Sequence, residues 1–384
     1  MNGIFTSPQV AWGPGAIEQL SDLGARRALL LVDPKLATAV RVQRVVEELG
    51  KGGAETRTVS GVPGEPSLES VERLVAAATE MRPDWIVAIG GGSTIDSGKA
   101  LWIRYAQPTV PLDTVSPLTE LRLRATAHFA ALPTTCGSGS ESTWVAHLHG
   151  PGSRFIEIAS RELAPDWALL DPTFLTSLPV DVRASTGADA VAHALEAVAS
   201  NWANPFTDAL AHRALASALP ALARVRRHPE DDELAGTLQI AACQAGLAVA
   251  NAQVGVAHAL AYALGAEFHR PHALLAAALL PYATEFNYPS SRDAYALLAP
   301  TFGSGAGHLR TALSEKLRQV WEAAGLPKTL VEAGISADRL RGVRDAVAQR
   351  ASVSPGAVSN PRVPTPEELG KLLDAAATGA AVTF

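Results

Sequence analysis

The stretch Trp85-Ile-Val-Ala-Ile-Gly90-Gly-Gly-Ser-Thr-Ile-Asp96-Ser-Gly-Lys99-Ala-Leu decides the fold class. Its apolar beginning predicts a buried strand, and its three glycines predict a tight turn. The residues from Ile95 onward are predicted to form a helix. Glycines let the backbone approach a ligand closely, and a helix N-terminus offers N–H groups and a positive dipole to phosphate. We therefore predict a diphosphate-binding turn. A tight turn without a ligand is the alternative, because Ile95 stands where G-x-G-x-x-G has its third glycine.

On both sides of this stretch, up to about residue 180, short apolar runs alternate with segments of helical periodicity. The predicted strands are 28–33, 56–60, 85–89, 129–133 and 168–171, the last of them as an edge strand. This alternation is typical of βαβ units and a parallel sheet. The loop Thr134-Thr-Cys-Gly-Ser-Gly-Ser-Glu141 follows a strand, so it falls at the sheet edge where ligands bind in such folds. An ordinary flexible loop is the alternative.

From Ser185 onward the pattern changes to Ala-rich helical periodicity. Examples of the predicted helices are 208–222, 233–250, 274–280, 310–324 and 366–377. A chain of 384 residues is expected to form two domains. We divide it near Leu178-Pro179, into an α/β domain over residues 1–178 that binds a dinucleotide and an all-helical domain over 179–384 that holds metal and substrate.

The composition argues against several kinds of partner. With 47% hydrophobic and 18% charged residues the chain is typical of a globular protein, and its net charge of -6 argues against nucleic acid. Its two cysteines, Cys136 and Cys243, fit no zinc or redox spacing and indicate a reducing compartment. Neither a signal peptide nor an uninterrupted membrane-length apolar window is evident. We expect a cytoplasmic protein without membrane contact, acting on small molecules.

A second decisive stretch is Thr186-Gly-Ala-Asp189-Ala-Val-Ala-His193-Ala-Leu-Glu196. Residues four apart share a helix face, so the Asp189 carboxylate and the His193 imidazole are predicted to lie together among Ala, Val and Leu. Burying them there is costly without compensation. With His258 and His272 further on, the donor set suits Fe²⁺ or Zn²⁺. An ordinary helix carboxylate beside a core histidine is the alternative reading of the pair.

At this point the motifs are similar to those of a known family. The chain resembles the iron-containing (group III) alcohol dehydrogenase superfamily over nearly its whole length. The matching motifs are Val10-Ala-Trp-Gly-Pro-Gly-Ala, the glycine stretch to Lys99, Pro133-Thr-Thr-Cys-Gly-Ser-Gly-Ser-Glu141, Leu170-Asp171-Pro172, the stretch from Thr186 to Glu196, Asn204-Pro-Phe-Thr-Asp208, and Pro271-His272 with Leu280-Pro281-Tyr282.

The resemblance implies a dehydroquinate synthase-like α/β fold, with an N-terminal Rossmann-like parallel-sheet domain followed by an all-α C-terminal domain. It implies metal-dependent, NAD(P)-linked hydride transfer between a small primary alcohol or aldehyde and nicotinamide. The metal would be Fe²⁺, or else Zn²⁺. The family's ligand positions fall on Asp189, His193, His258 and His272. Homodimers or larger homo-oligomers are expected as well.

The resemblance also implies cofactor contacts. The corresponding positions are Asp33, Gly91, Gly92, Ser93, Asp96, Lys99, Thr134, Thr135, Ser138 and Arg154. Asp33 ends the first predicted strand, and an acid there accepts from ribose hydroxyls and repels a 2′-phosphate. We therefore predict that NAD is preferred over NADP.

The chain departs from the family at two points. Tyr262 stands where many relatives have a proton-relay histidine, so Tyr262 and His269 are the candidates for that role. His272 is followed by Ala273, as in maleylacetate reductases, which typically have Asn in place of the ligand Asp. Two alternatives follow: a metal-free reductase of the maleylacetate type, and a nucleotide-binding protein without turnover. The presence of Asp189 argues for a metal and against the metal-free reductase. The presence of all four ligand residues argues against a nucleotide-binding protein that has lost its turnover.

Overall fold

A computed structural model of the chain describes residues 3–36, 38–61, 66–150, 155–303 and 309–382. The chain divides into two compact units. The first comprises Met1–Thr135 and Gly139–Leu178, and the second comprises Cys136–Ser138 and Pro179–Phe384.

The first unit is built on a six-stranded sheet in which every pair of neighbouring strands is parallel. The strands of the unit are β1 (Gln9–Trp12), β2 (Arg27–Val32), β3 (Glu55–Ser60), β4 (Trp85–Gly90), β5 (His128–Pro133), β6 (Val145–His149), β7 (Phe155–Ala159) and β8 (Trp167–Leu170). The sheet order is β1-β8-β5-β4-β2-β3. β2 and β4 each lie between two other strands of the sheet and are almost entirely buried, as their continuous apolar runs require.

The prediction of 168–171 as an edge strand is wrong. β8 lies between β1 and β5, and the edges of the sheet are β1 and β3. β1 was not predicted because it is only four residues long, and Gln9 and Trp12 at its two ends are exposed. β6 and β7 form an antiparallel hairpin that was not predicted from the sequence, and in it His147 is the partner of Glu157.

Three helices of the first unit follow strands: α1 (Val40–Lys51), α2 (Leu68–Met81) and α3 (Gly92–Ala106). Ser67 caps α2, and its hydroxyl and that of Ser70 form a reciprocal capping box. α3 begins at Gly92, three residues earlier than predicted, with Gly91 as its N-cap. Gly98 lets α3 pack closely on the sheet, since a Cβ there would lie 2.9 Å from Phe129 Cζ and 3.2 Å from Ala88 Cβ.

The described part of the second unit is helical. Its helices are α4 (Val180–Ala199), α5 (Pro205–Leu222), α6 (Asp232–Ala252), α7 (Val256–Phe268), α8 (His272–Asn287), α9 (Arg292–Ala296), α10 (Ala299–Phe302), α11 (Leu309–Ala324), α12 (Ala337–Ser352), α13 (Pro355–Val358) and α14 (Pro366–Thr378). α4, α5 and α6 pack on one another, and α8 contacts both α4 and α7. The expected combination of a parallel-sheet unit and a helical unit is confirmed.

Across the described ranges, no helix taken singly has the length and apolar character needed to cross a membrane. Only α6 and α7 considered together reach that length and composition, and they are bent by 99° at the break between them.

Candidate metal centre and dinucleotide turn

Three helices of the second unit contribute the predicted metal ligands. α4 carries Asp189 and His193 one turn apart, and almost every side chain of this helix from Gly187 onward is buried. His258 lies in the first turn of α7, and His272 is the first residue of α8. The apolar sequence of these helices explains their burial, and it brings the polar side chains into the interior with them.

The four predicted ligands come together in space. One donor atom from each of Asp189, His193 and His258 lies within 4.8 Å of the others, and all three residues are buried. His258 Nε2 is 3.3 Å from Asp189 Oδ1, and His272 Nε2 is 3.9 Å from Asp189 Oδ2. The His272 side chain is 35% exposed, so one side of the group is open. These residues form one centre around Asp189, which we call the Asp189 centre.

The charges of the Asp189 centre depend on its burial and on its neighbours. Burial favours the neutral acid, yet the surrounding imidazoles outweigh this effect and hold the pKa of Asp189 well below its ordinary value. Burial lowers the pKa of His193 to about 4 against the attraction of Asp189. Burial also opposes a charge on His258, but Glu196 and Asp189 raise the pKa of its imidazole to about 10. Near neutral pH and without a metal, His193 is therefore neutral and His258 is protonated beside an ionised Asp189.

The donor set fits a divalent ion. His193 Nδ1 is buried and has no hydrogen-bond partner among the described residues, a costly arrangement that a bound ligand or ion nearby would help to compensate. One carboxylate and three imidazoles are ligands that Fe²⁺ and Zn²⁺ accept. In the part of the chain that the structure describes, no other group of three His, Cys, Asp or Glu donors lies this close together.

The two proton-relay candidates differ in position. The Tyr262 ring lies between two ligands, with its centroid 5.7 Å from that of His258 and 5.3 Å from that of His272. His269 is exposed and ends α7 in the left-handed conformation, with φ of 52°. Tyr262 is therefore next to the Asp189 centre, whereas His269 is the C-cap of its helix.

The predicted diphosphate turn lies at the N-terminus of α3 in the first unit. Gly91 and Gly92 are partly exposed and Ser93 is exposed, so the first N–H groups of the helix face an open region. A Cβ on Gly91 would lie 3.1 Å from Thr135 Cγ2, which shows how closely the turns after β4 and β5 approach each other. This geometry is that of a helix N-terminus able to receive a phosphate.

Asp96 and Lys99 are predicted cofactor residues, and both are buried in contact with the segment after β5. The Asp96 carboxylate accepts from Ser140 Oγ and from the N–H of His147, the latter at 3.0 Å. Lys99 is fully buried, and its Nζ donates to the carbonyl oxygens of Thr143 and Val145, each at 2.8 Å. Burial lowers the pKa of Lys99 to about 8. These contacts hold a loop in place, and the predicted contact with cofactor stays a prediction.

The other predicted cofactor residues lie at the carboxyl ends of strands or just beyond them. Asp33 follows β2, its N–H donates to the Ile89 carbonyl oxygen at 2.8 Å, and its Oδ1 accepts from the N–H of Lys35 at 2.9 Å. Thr134 is buried directly after β5, and Thr135 and Ser138, which follow it, are partly exposed. Arg154 lies outside the described residues. Their contacts with a dinucleotide also stay predictions.

Glu196 also belongs to the surroundings of the Asp189 centre, although no role was predicted for it from the sequence. Its Oε2 lies 2.5 Å from His258 Nδ1, and its Oε1 accepts from the Ala257 N–H at 2.7 Å. The signal was present in the sequence, because Glu196 follows Asp189 by seven residues and His193 by three, so that all three share one face of a helix.

Two family profiles together match most of the chain. Residues 7–172 match the family described as iron-containing alcohol dehydrogenase, and residues 183–377 match the C-terminal part of the Fe-containing alcohol dehydrogenase family.

Relatives with matching names align over almost the full length. An NADPH-dependent butanol dehydrogenase of Clostridium saccharobutylicum is 32% identical over 99% of each chain. An alcohol dehydrogenase of Thermococcus barophilus is 30% identical over 95% of this chain and 96% of its own. The solved structure of an iron-containing alcohol dehydrogenase from Thermococcus thioreducens has a TM-score of 0.90 and 29% identity, with 98% of this chain and 100% of that chain covered.

These matches and the fold show that the chain belongs to the iron-containing alcohol dehydrogenase family. Its function is accordingly that of an NAD(P)-linked, metal-dependent oxidoreductase of the alcohol dehydrogenase or aldehyde reductase type. The family expected from the motifs is confirmed.

Proposed function

We propose that the chain interconverts small primary alcohols and aldehydes with NAD as hydride carrier, and that Asp189, His193, His258 and His272 hold the divalent ion. Fe²⁺ is the proposed ion and Zn²⁺ is the alternative. The observation that carries the proposal is the convergence of three buried donor atoms within 4.8 Å of one another. The relatives named as alcohol and butanol dehydrogenases support the substrate class.

A divalent ion bound at the Asp189 centre supplies Lewis acidity, which polarises an alcohol or aldehyde oxygen. Asp189 contributes the negative charge, because its pKa lies below the ordinary range and the carboxylate stays ionised. Asp189, His193 and His258 are each at most 4% exposed, so little water screens the electrostatic interactions of the centre. The partly exposed His272 marks the side from which a substrate oxygen would approach.

Tyr262 is the proposed proton-relay residue. Its ring contacts those of His258 and His272, so its hydroxyl belongs to the surroundings of the Asp189 centre, whereas His269 is exposed at the end of α7. A Tyr hydroxyl can both donate and accept, which a group passing a proton from an alcohol to solvent must do. Tyr262→Phe should lower kcat and leave the bound metal in place, and an unchanged kcat would argue against this role.

Asp33 supports NAD as the preferred cofactor. Its N–H is bonded to the carbonyl oxygen of Ile89, next to the glycine turn, and the carboxylate is partly exposed. A carboxylate there accepts from ribose hydroxyls and repels the 2′-phosphate of NADP. Asp33→Ser should raise kcat/KM for NADPH relative to NADH. The name of the Clostridium relative gives NADPH for that protein, so the comparison of the two cofactors is a sharp test.

The test of the proposed function combines elemental analysis with turnover on a panel of aldehydes and alcohols, followed at 340 nm. We expect Fe or Zn in the purified protein, loss of turnover with a chelator, and recovery when the ion is returned. Turnover that withstands complete metal removal would point instead to a metal-free reductase of the maleylacetate type. Nucleotide binding with no absorbance change on any substrate would point to a binding protein without turnover.

A cytoplasmic homodimer or larger homo-oligomer is proposed from the resemblance to the family. Both cysteines are buried and free of disulfides, which fits a reducing compartment. Light scattering of the purified protein measures the oligomeric state, and cell fractionation measures the location.

A further inference from the structure

The Glu196 carboxylate contacts both the predicted metal ligand His258 and the N-terminus of α7. One carboxylate oxygen, Oε2, lies 2.5 Å from His258 Nδ1, and the other, Oε1, accepts from the Ala257 N–H at 2.7 Å. Both Glu196 and His258 side chains are at most 2% exposed. A buried carboxylate is stable only where donors surround it, and here the donors come from two neighbouring residues of α7.

α7 depends on groups outside itself for its N-terminal hydrogen bonds. Its N-cap is Gly255, which has no side chain to accept from the first turn. Glu196 accepts from the N–H of Ala257, and Asn360 Oδ1 accepts from that of Val256 at 3.3 Å. Glu196 therefore acts as the cap of α7 from a different helix, with its negative charge at the positive end of the helix dipole.

The absent side chain at Gly255 makes this arrangement possible. A Cβ there would lie 2.9 Å from Glu196 Oε1 and 3.0 Å from Asn360 Oδ1. Asn360 is fully buried and exchanges hydrogen bonds with Asn287 at 2.8 and 3.0 Å, so it has little freedom to move. The Glu196 carboxylate and the Asn360 amide can therefore both reach the N-terminus of α7 only because residue 255 has no side chain.

The two nitrogens of His258 have different tasks in this geometry. Nδ1 points to Glu196, whereas Nε2 is 3.3 Å from Asp189 Oδ1, within the Asp189 centre. A hydrogen bond from Nδ1–H to a carboxylate keeps the proton on that nitrogen and leaves the lone pair of Nε2 available to an ion.

We propose that Glu196 is a positioning residue for the metal: by accepting from Nδ1 of His258 and from the N-terminus of α7, it fixes the tautomer and the orientation of this ligand. This inference rests on the proposed metal centre. It assigns Glu196 no contact with the ion or with the substrate.

The test measures the dissociation constant of Zn²⁺ by competition with a chromophoric chelator. Glu196→Gln keeps the shape of the side chain but leaves one carbonyl oxygen for two donors, and we expect about 10- to 100-fold weaker binding, as for other groups that orient metal-bound histidines. Gly255→Ala retains the carboxylate and displaces it, since its Cβ would meet Oε1 at 2.9 Å. Weaker zinc binding is expected for this variant too.

Glu162→Gln is the matched control. Glu162 also accepts from two backbone N–H groups, those of Leu121 and Leu123 at 2.7 and 3.0 Å, but it lies in the first unit and touches no predicted ligand. The Glu162→Gln variant should lose thermal stability and keep the zinc dissociation constant of the unmodified chain. Equal zinc affinity of Glu196→Gln and the unmodified chain would overturn the inference alone. Failure of the unmodified chain to bind either Zn²⁺ or Fe²⁺ would overturn the proposed centre and the inference together.

Discussion

The imidazoles of His193 and His258 stack face to face, with ring centroids 4.3 Å apart and planes inclined by 12°. The two rings differ in charge, because burial lowers the pKa of His193 to about 4 whereas Glu196 and Asp189 outweigh burial and raise that of His258 to about 10. The stack thus joins a neutral ring on α4 to a protonated ring on α7. A cation entering the centre must displace the proton of the second ring.

His193→Ala and Asp189→Asn should each abolish stoichiometric metal binding. Each removes one donor from the Asp189 centre, and Asp189→Asn also removes the negative charge. The matched control is His212→Ala, because Asp208 and His212 have the same spacing on α5 but belong to no cluster of three donors among the described residues. Elemental analysis and turnover are the measurements. Loss of metal in the control variant, or retention in both ligand variants, would contradict the assignment.

The apparent affinity for Zn²⁺ should rise about tenfold per pH unit between about pH 6 and 8, because binding releases the proton of His258, whose metal-free pKa is raised to about 10. His193 adds nothing to this slope, since its pKa is lowered to about 4 and the ring is already neutral. Chelator competition at several pH values measures the slope. A pH-independent affinity would mean that zinc binding releases no proton from His258.

In the metal-free protein, the contribution of His258 to the free energy of unfolding should fall as the pH rises. The His258 pKa is raised on folding above its ordinary value of 6.5, so its contribution is complete below about pH 6.5 and is lost as pH rises through about 10. Urea unfolding of the metal-free chain and of His258→Gln at several pH values isolates this contribution. The difference in unfolding free energy between the two should shrink as the pH rises.

Gly98→Ala should destabilise the first unit by about 1 to 3 kcal/mol, the usual cost of overpacking. Its Cβ would lie 2.9 Å from Phe129 Cζ, so α3 would have to move away from the sheet. Because the glycine turn leads directly into α3, the KM for NAD should rise as well.

The matched control for this substitution is Gly50→Ala. Gly50 lies within α1 of the same unit, and a Cβ there meets nothing within 4 Å. This variant should be neutral or more stable by up to about 1 kcal/mol, because alanine favours the helix. Equal effects of the two substitutions on the free energy of unfolding would refute the close packing of α3.

Lys99→Gln should lose stability relative to the unmodified chain, and the loss should grow with pH. Burial lowers the pKa of Lys99 from 10.5 to about 8, against the charges of Asp96 and Glu141. Between about pH 8 and 10.5, Lys99 binds a proton in the unfolded chain but not in the folded chain. The free energy of unfolding of the unmodified chain therefore rises with pH in this range, because a charged Lys99 no longer has to be buried, whereas that of Lys99→Gln gains nothing from this titration. Urea unfolding of both proteins at about pH 7.5 and 9.5 tests this. A constant difference would mean that Lys99 stays protonated.

The sequence predicted the elements whose residues share one simple pattern. The buried strands β2, β4 and β5 are continuous apolar runs, and α5, α6, α11 and α14 have clear helical periodicity, so these elements were predicted within a few residues. The helix predicted over 274–280 is longer in the structure, where α8 continues to Asn287. The four donors of the Asp189 centre were also predicted, because carboxylate and imidazole groups are conspicuous in an apolar helix.

The remaining features depend on contacts between distant residues. β1 is short and half exposed, and only its pairing with β8 makes it a strand. Gly98 has its role because Phe129 lies across from it, which no local pattern reveals. Glu196 was overlooked since its partners, Ala257 and His258, belong to another helix.

The pairing of β1 with β8 also determines when the sheet can be completed. Gln9 pairs with Trp167, and the Gly15 N–H donates to Asp171 Oδ2, 156 residues further along the chain. During synthesis the first strand therefore leaves the ribosome long before its partner exists. Until Trp167 emerges, the flank of β5 that β8 later covers is an unpaired edge, open to association with other nascent chains. The sheet therefore cannot be completed before β8 has been synthesised.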